Sequence, residues 1–341
     1  MRKSAVRESK NLTVNSVQQY HGGNWASDGS YASEGFDGYE AGTMPYFASD
    51  RTHTVTFSGE KINPKTGALQ AFAPKAYGLE IETGCDGIIG NDAYATVLKN
   101  VLFPIFPKGF FKLQRDGSLR GQSQAEMITG LVTKEALRNN YPNFKKMFNE
   151  FFPLFNVGAD SEHGCGMHIN ISRALLGNTP ESQEETAKKL IYFVNMNYDF
   201  CCALFARDRE HTTYCGRMFY SDDYEEVCRK FNRLTSDNDH GNCFNVSHWN
   251  EGSGRLEIRL PGGQRKYGTF RNTLEVVFFL IPRIIKLQPK DLKDYVKVFS
   301  GCNKYVFDRL NSKCKAWGLP GRITEEQLEA IRATVTDEEY F

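Results

Sequence analysis

The stretch Tyr77–Thr83 (Tyr-Gly-Leu-Glu-Ile-Glu-Thr) constrains the fold of this chain more than any other stretch. Side chains of a β-strand alternate between its two faces, so Glu80 and Glu82 project from one face while Leu79 and Ile81 project from the other. Two carboxylates on one face repel each other unless a cation lies between them. A solvated edge strand can also carry such a pair, and for this stretch alone that is the simpler interpretation.

Three later stretches repeat the alternation of polar and apolar residues. They predict strands at 122–130, 167–172 and 254–260. Their polar faces add Gln124, Glu126, His168, Asn170, Ser172, Arg255, Glu257 and Arg259. An antiparallel sheet that packs on helices through one face commonly leaves its other face open. The sequence therefore predicts an α+β fold in which an antiparallel sheet, backed by helices, carries these groups on its open face.

The predicted open face has an unusual composition. It concentrates carboxylates with one histidine and two arginines, and no lysine is assigned to it, whereas an ordinary solvent-facing sheet would scatter lysine, threonine and serine. Four clustered carboxylates need divalent cations to offset their repulsion, and Mg²⁺ prefers oxygen ligands. Mg²⁺ held by carboxylates commonly serves phosphate chemistry, in which arginine stabilises the transferred phosphoryl group. The pattern predicts a metal-dependent site for phosphoryl chemistry.

Composition argues against several other classes of function. The 341 residues carry a formal net charge of +1, whereas generic nucleic-acid-binding proteins have a basic excess. The most apolar run, 276–285, is too short to span a bilayer. The nine cysteines fit neither a small disulfide scaffold nor a paired zinc framework, and the first residues lack the apolar core of a signal peptide. We expect a cytoplasmic protein with buried thiols, no membrane segment and no nucleic-acid partner.

The chain is predicted to consist of a short N-terminal arm and one long domain. Residues 1–50 are rich in Gly, Ser, Tyr and Asp without helical or strand periodicity, which favours an irregular arm. No linker interrupts residues 51–341, so we expect one α+β domain there. Its predicted helices lie at 91–103, 134–152, 181–205, 269–285, 290–299 and 325–334, and Thr133 is the expected N-cap of the second.

The strand motifs also occur in a recognisable order. They are Gly78-Leu79-Glu80-Ile81-Glu82, Asp116 followed by Ala125-Glu126-Met127-Ile128, Gly164-Cys165-Gly166-Met167-His168-Ile169-Asn170, and Leu256-Glu257-Ile258-Arg259-Leu260. In this order they resemble the amidoligases, a family of carboxylate–amine ligases related to glutamate–cysteine ligase and glutamine synthetase. Arg207 and the pair Tyr214-Cys215 resemble the segment between that family's long helix and its last strands. The resemblance covers residues 75–287, and the arm and the helical region after 288 lie outside it.

The resemblance implies a fold and a reaction. The fold is a curved antiparallel sheet, a half-barrel of the glutamine-synthetase type, backed by helices. ATP and two or three Mg²⁺ ions, with Mn²⁺ as an alternative metal, are implied in the funnel of this sheet. A carboxylate substrate is phosphorylated there, and an amine then displaces phosphate to form an amide. The implied substrates are a small-molecule or peptide carboxylate and an amine such as an amino acid or a polyamine.

The resemblance also implies roles for individual residues. The metal-ligand positions match Glu80, Glu82, Glu126, His168 and Glu257. The predicted catalytic residues are Arg259, Asp116 and Arg255. The predicted nucleotide contacts are Arg259, Asn170 and Arg207. Within these sets, Arg259 corresponds to the arginine that contacts phosphate, and Asp116 to an acidic position linked to metal or to the incoming amine.

Other interpretations remain open for several residues. A lone strand histidine such as His168 is more often a buried, hydrogen-bonded side chain than a ligand, and imidazole is a soft ligand for Mg²⁺. Arg255 equally fits a surface position at the start of a strand, and Asn170 fits a residue that satisfies backbone groups. Cys165 lies beside the predicted site, but no partner base indicates a cysteine nucleophile.

Two other functions fit the same polar face. Guanidino kinases share this sheet architecture, so a phosphotransferase is one alternative, and it would release ADP with a stable phosphorylated product and no amide. A non-catalytic nucleotide-binding relative is the other. The presence of all four carboxylates together with Arg259 argues against the second alternative, because an inactive site has no use for clustered like charges.

Overall fold

The computed structural model describes residues 43–49, 52–56, 60–66, 69–71, 74–114, 119, 122–158, 164–207, 215–219, 222–234, 241–250, 254–315 and 321–336. Over these ranges the chain is an α+β structure in which helices back a mixed, open sheet. Most of the predicted arm lies outside the described residues, but its end, Thr43–Phe47, forms a strand rather than irregular chain. Asp116 also lies outside the described residues.

Twelve strands of the described chain join in one sheet. They are β1 Thr43–Phe47, β2 Thr52–Thr56, β3 Glu60–Ile62, β4 Leu69–Ala71, β5 Tyr77–Cys85, β6 Phe111–Gln114, β7 Ser123–Thr129, β8 Leu131–Val132, β9 Val157–Gly158, β10 Met167–Ser172, β11 Phe244–Asn245 and β12 Arg255–Ile258. Their order is β11-β12-β10-β5-β8-β1-β2-β3-β4, with β7 between β5 and β6 and with β9 beside β5.

The prediction of an antiparallel sheet is correct for the four motif strands β5, β7, β10 and β12. It is wrong at β1, which runs parallel to β8 and makes the sheet mixed. Parallel neighbours need a long connection, and here the chain between Phe47 and Leu131 supplies it, so no local pattern could reveal the pairing. The stretch 242–248, which the sequence also predicts to be a strand, is a strand only at β11.

Helices cover the sheet and form the C-terminal region. They are α1 Asn91–Val97, α2 Lys134–Asn139, α3 Tyr141–Lys146, α4 Phe152–Leu154, α5 Arg173–Leu176, α6 Pro180–Met196, α7 Tyr198–Leu204, α8 Tyr224–Leu234, α9 Tyr267–Lys286, α10 Tyr295–Phe299, α11 Lys304–Arg309 and α12 Glu325–Arg332. Shorter π-type segments lie at Leu98–Leu102, Met147–Phe151 and Leu310–Cys314, and 3₁₀ turns at Phe103–Ile105 and Pro289–Lys293. Among the described helices, none combines the length and apolarity that crossing a membrane requires.

Two of the predicted long helices are divided in the structure. The helix expected at 134–152 breaks between α2 and α3, where Pro142 follows and cannot donate a helical hydrogen bond. The helix expected at 181–205 breaks between α6 and α7 at Asn197, whose side-chain amide donates to the Phe193 carbonyl at 2.9 Å. The predicted N-cap is confirmed, since the Thr133 hydroxyl accepts from the backbone N–H of Ala136 at 3.2 Å.

The apolar face of the motif strands forms the core with these helices. On β7 the burial alternates strictly, with Ala125 and Met127 fully buried and Glu126 and Ile128 partly exposed. The apolar residues of β5, β10 and β12 belong to the same cluster as the helices that cover them. Each fully buried aliphatic side chain contributes about 1.5–3 kcal/mol. Burial of this face therefore determines that the polar residues project from the opposite side.

One buried carboxylate, Glu275 on α9, joins three parts of the helical layer. Arg138 donates to it through Nε at 2.9 Å and Nη2 at 2.6 Å, and the Tyr141 hydroxyl donates at 2.7 Å. The side-chain amide of Asn303, just before α11, donates at 3.0 Å. Glu275 is 0% exposed, so its charge depends on these four donors. The network attaches the C-terminal helices to α2, α3 and α9.

All nine cysteines lie within the described ranges as free thiols, and eight of them are buried. Burial raises the pKa of Cys85 and of Cys202 to about 11 each. A thiol with a raised pKa is a poor nucleophile and a poor metal ligand. The prediction that the cysteines are mostly buried thiols is confirmed.

Candidate active site

Strand register places the predicted residues in rows across the sheet. From β6 to β12, one row contains Lys112, Ile128, Glu80 and His168, each opposite the next. Arg259 continues this row, because it follows Ile258 directly beyond β12. Facing side chains in neighbouring strands have Cβ atoms about 5 Å apart. The register therefore makes an acid and an imidazole direct neighbours, with a basic residue at each end of the row.

The neighbouring rows supply the remaining carboxylates. One row contains Gln114, Glu126, Glu82 and Gly166. The other contains Gly78, Asn170, Glu257 and Asn245. All of these residues project from the face opposite the core, as the alternation predicted. The structure thus brings together, from four separate strands, every predicted metal ligand.

His168 lies at the centre of the carboxylates. Its Nδ1 is 3.0 Å from Glu80 Oε2 and 3.4 Å from Glu257 Oε1, and its Nε2 is 3.5 Å from Glu82 Oε1. The His168 side chain is 7% exposed. Each nitrogen of the buried imidazole therefore faces a different part of the acidic cluster.

Two overlapping sets of donor atoms have the spacing of metal ligands. One set is Glu80, His168 and Glu257, and the other is Glu82, Glu126 and His168. The donor atoms of each set lie within 4.8 Å of one another. Carboxylate oxygens suit Mg²⁺, and a single imidazole nitrogen is better suited to Mn²⁺. The donors fit one or two divalent cations of this kind.

The acidic cluster changes the protonation of its own members. Burial by itself raises the pKa of Glu80, but the hydrogen bond and charge of His168, with Asn170 and Arg255, lower it to about 2. Burial lowers the pKa of His168, but the Glu80 hydrogen bond and the charges of Glu82 and Glu80 raise it to about 9. In the metal-free protein His168 is thus a cation at neutral pH, and it offsets the repulsion among the carboxylates.

The stability of the metal-free protein should depend on pH through this pair. The pKa of His168 rises from 6.5 to about 9, so its contribution is complete below pH 6.5 and is lost as the pH rises through 9. The pKa of Glu80 falls from 4.5 to about 2, so its contribution is complete above pH 4.5 and is lost as the pH falls through 2. We expect both contributions to be complete between pH 4.5 and 6.5.

Urea unfolding in the presence of a chelator, repeated from pH 5 to pH 9, measures this dependence. His168→Gln is the control variant, and its unfolding free energy should lose the decline above pH 6.5 that the pair produces. An identical decline in the native protein and the variant would contradict the assigned charge state of His168.

Neutral donors hold the carboxylates in place. The Asn170 side-chain amide donates to Glu80 Oε1 at 2.8 Å, and Arg255 Nε donates to Asn170 Oδ1 at 2.9 Å. The Asn245 side-chain amide donates to Glu257 Oε2 at 3.0 Å. The backbone N–H of Gly166 donates to Glu82. Such contacts fix the orientation of the carboxylates, as the outer contacts of metal-binding side chains commonly do.

The guanidinium of Arg259 is bound to Glu257 through Nη1, whereas its Nε has no hydrogen-bond partner in the described part of the chain. Its Nη1 donates to Glu257 Oε1 at 2.6 Å, and its side chain is 13% exposed. Its Nε is buried and has no hydrogen-bond partner among the described residues. A buried donor left unsatisfied costs about 1–3 kcal/mol, so a ligand that accepts a hydrogen bond there would be favoured.

Arg207 lies at the rim of the site and holds the backbone that follows β12. Its guanidinium donates to the carbonyls of Arg259 at 2.9 Å, Leu260 at 3.0 Å and Pro261 at 3.0 Å. Ala206 precedes it with a left-handed backbone, φ 58°. These contacts support Arg259 through its main chain. The predicted contact of Arg207 with a nucleotide stays a prediction.

Sequence reasoning missed two residues of the site. The expectation that the polar face contains no lysine is wrong, because Lys112 on β6 lies on that face, opposite Ile128 and in the row of Glu80. The sequence contained a sign of this, because apolar and polar residues alternate in Phe111–Gln114 and their burial alternates in the same way. A pattern of only four residues is weak. Asn245 was not assigned to the polar face, although a strand was predicted around it, and the observed strand there is only two residues long.

Comparisons with known proteins identify no family. No protein-family model matches the chain, and no curated protein matches it by sequence. A bifunctional glutathione synthetase from Pasteurella multocida is similar in structure with a TM-score of 0.36 and 12% identity, covering 75% of this chain and 44% of that chain. The complex between the prokaryotic ubiquitin-like protein Pup and its ligase PafA gives a TM-score of 0.31 and 11% identity, covering 77% of this chain and 64% of that chain.

Both similarities are too low to assign a fold or an activity to this chain. The chain spans 44% and 64% of the two matched structures, so less than two thirds of either.

Proposed function

We propose that this protein is an ATP- and Mg²⁺-dependent carboxylate–amine ligase that forms an amide through an acyl phosphate. One observation carries the proposal. Four carboxylates from three strands converge around His168, and beside them Arg259 presents a buried Nε that has no hydrogen-bond partner among the described residues. Clustered carboxylates are suited to divalent cations, and an arginine next to them is suited to a phosphoryl group.

The donor set supports metal binding on chemical grounds. Four carboxylates in a small volume are stable only with compensating positive charge, and in the metal-free protein His168 and Arg259 provide part of it. Glu80, Glu82, Glu126, His168 and Glu257 would hold the ions. When bound, divalent ions neutralise phosphate charge and polarise the oxygens of the transferred group. His168 has to lose its proton before it can be a ligand.

The residues of the chain then have distinct roles. The substrate carboxylate attacks the γ-phosphorus of ATP, the bond to ADP breaks, and an acyl phosphate forms. Arg259 donates hydrogen bonds to the transferred phosphoryl oxygens, and Glu257 orients its guanidinium. The amine nitrogen then attacks the acyl carbon, and inorganic phosphate leaves. We propose that Asp116 accepts the proton that the amine loses, and that Arg255 and Asn170 keep Glu80 in position.

The choice of a ligase over a phosphotransferase depends on the order of the strand motifs, which resembles the amidoligases. The two functions differ in their products. A ligase releases ADP and inorganic phosphate with an amide, whereas a phosphotransferase releases ADP and a stable phosphorylated compound. Mass spectrometry after incubation with ATP, Mg²⁺ and a pool of amino acids and polyamines would identify the reacting acid.

An isotope experiment then tests the acyl phosphate. An acid labelled with ¹⁸O in its carboxylate should transfer one labelled oxygen to the released phosphate, because the carboxylate oxygen bonds to phosphorus and leaves with it. Phosphate is analysed by mass spectrometry, with Glu82→Gln as the control that should turn over no ATP. Unlabelled phosphate would indicate hydrolysis of ATP by water, and a phosphorylated product without an amide would indicate a phosphotransferase.

A further inference from the structure

Gly78 lies inside β5, on the face that carries Glu80, although neither backbone geometry nor packing requires a glycine there. It is not among the described glycines with a left-handed backbone. A Cβ at this position would lie 3.4 Å from Asn170 Cβ and 3.9 Å from Asn170 Nδ2, which are ordinary contact distances. Glycine within a strand lowers stability relative to alanine, so its presence needs another reason.

A bulge does not explain Gly78. β5 pairs with β10 in unbroken register from Tyr77 to Ile81. The extra residue of a bulge lies on the opposite side of β5, in the chain that joins β7 to β8. Glu80 pairs with Ile128 and Tyr77 pairs with Val132, so that chain has one residue more than β5 between the two pairs. Glycine in a regular strand also marks a place where a ligand approaches the backbone closely. Gly78 is next to the proposed metal ligands, which makes a ligand the remaining explanation.

Two cations flank Gly78 from opposite borders of the polar face. Lys112 lies on β6 and Arg255 begins β12, with β7, β5 and β10 between them. Four strand spacings would separate β6 and β12 by about 19 Å in a flat sheet. Register nevertheless places Lys112 in the same row as Glu80. Arg255 Nε donates to Asn170 Oδ1, and the Asn170 amide donates to Glu80 Oε1. Both cations therefore border the central strand, β5, one through its row and the other through Asn170.

If metal ions bind to the neighbouring carboxylates, less negative charge remains to offset the positive charges of Lys112 and Arg255. Lys112 is half-buried, so its side chain is already partly desolvated. Glu80 and Glu126 are both proposed metal ligands, and an ion bound to them would offset the negative charge that Lys112 experiences. A partly buried cation in that situation favours an anionic partner.

We propose that Lys112 and Arg255 form an anion pocket above Gly78, beside the metal centre, which receives a carboxylate or phosphate group of a reactant. This inference rests on the proposed function, because it assumes divalent ions on the neighbouring carboxylates. Asn170 forms one wall of the pocket. Its side chain is the neighbour that a Cβ at position 78 would contact, and its Oδ1 accepts a hydrogen bond from Arg255 Nε at 2.9 Å. A carboxylate would come from the acid substrate, and a phosphate from the nucleotide.

A purely structural role predicts different behaviour. Lys112 would then only balance Glu126, and Gly78→Ala would leave ligand binding unchanged. The pocket predicts instead that an added methyl group at position 78 obstructs the anion without disturbing the fold, because the methyl meets protein atoms only at ordinary contact distances.

The test compares Gly78→Ala and Lys112→Met with matched controls. Gly268→Ala adds the same methyl group where a Cβ meets nothing within 4 Å, and Lys145→Met removes an exposed helical lysine. Calorimetric titration of each full-length, Mg²⁺-loaded protein uses three probes: a non-hydrolysable ATP analogue, inorganic phosphate, and a series of small carboxylates including acetate and succinate. We expect both pocket variants to bind at least one probe about tenfold more weakly or worse, the effect of losing a hydrogen bond to a charged group.

The pattern of losses identifies the source of the anion. Loss confined to the ATP analogue or phosphate assigns the pocket to the nucleotide, and loss confined to carboxylates assigns it to the acid substrate. The melting temperature of Gly78→Ala should be no lower than that of the native protein, the Mg²⁺ affinity of Lys112→Met should not fall, and Lys112→Arg should restore part of the binding. The pocket is refuted if every probe binds both variants within twofold of native, or if the native protein binds none of them.

The anion pocket and the ligase proposal can fail independently of each other, and the two experiments distinguish these cases. Binding is measured without turnover, so a protein that releases unlabelled phosphate in the isotope experiment could still show the losses at Gly78 and Lys112. Conversely, a confirmed acyl phosphate with unchanged anion binding would remove the pocket alone.

Discussion

Arg259→Lys should lower kcat by about 10²-fold, or about 3 kcal/mol, which is the effect of losing one preorganised transition-state donor. Arg259 is fixed by Glu257 through Nη1, while its buried Nε is without a partner among the described residues. A guanidinium can hold two phosphoryl oxygens at once, whereas lysine supplies a single compact ammonium. Steady-state ATP turnover with the identified acid and amine measures the change.

The affinity for ATP should change much less than kcat, since the metal ions would hold most of the ground-state triphosphate. Arg332→Lys is the matched control, because Arg332 forms an exposed ion pair with Glu329 on α12. If Arg259 only neutralises Glu257 in a structural pair, lysine would substitute with little kinetic effect and Arg259→Ala would mainly lower the melting temperature. A near-normal kcat for Arg259→Lys would remove this residue from the catalytic set.

Glu275→Leu should destabilise the fold by about 3–5 kcal/mol, the usual effect of removing one partner from a buried ion pair. The substitution leaves the Arg138 guanidinium without its carboxylate, and it removes the acceptor of the Tyr141 hydroxyl and the Asn303 amide. The Arg138 side chain is only 14% exposed, so water cannot fully compensate for the loss. Equilibrium unfolding in urea gives the free-energy difference.

Two further variants separate charge from hydrogen bonding. Glu275→Gln keeps one acceptor oxygen and should be less harmful than Glu275→Leu. Combining Glu275→Leu with Arg138→Met removes both charges and should recover part of the loss, because replacing a whole buried pair by apolar residues is often nearly neutral. An unfolding free energy for Glu275→Leu within 1 kcal/mol of native would contradict the role given to this network.

The amino-acid sequence by itself determined the faces of the motif strands. Alternation requires only neighbouring residues, because consecutive side chains on a strand point in opposite directions. The assignment of Glu80 and Glu82 to one face, and of His168 and Asn170 to one face of another strand, was therefore readable without a structure. The N-cap at Thr133 is likewise a local property of a hydroxyl and the N–H three residues later.

Which of these residues face one another depends on the pairing of distant strands and could be seen only in the folded chain. Register depends on pairing between strands that are far apart in sequence, and a shift of one residue would reverse the face of an entire strand. The contact of His168 with three carboxylates, its raised pKa and the inclusion of Lys112 all follow from that register. The Glu275 network joins residues as much as 137 positions apart, so no local pattern could indicate it. Local periodicity determines side-chain direction, whereas long-range packing determines which side chains meet.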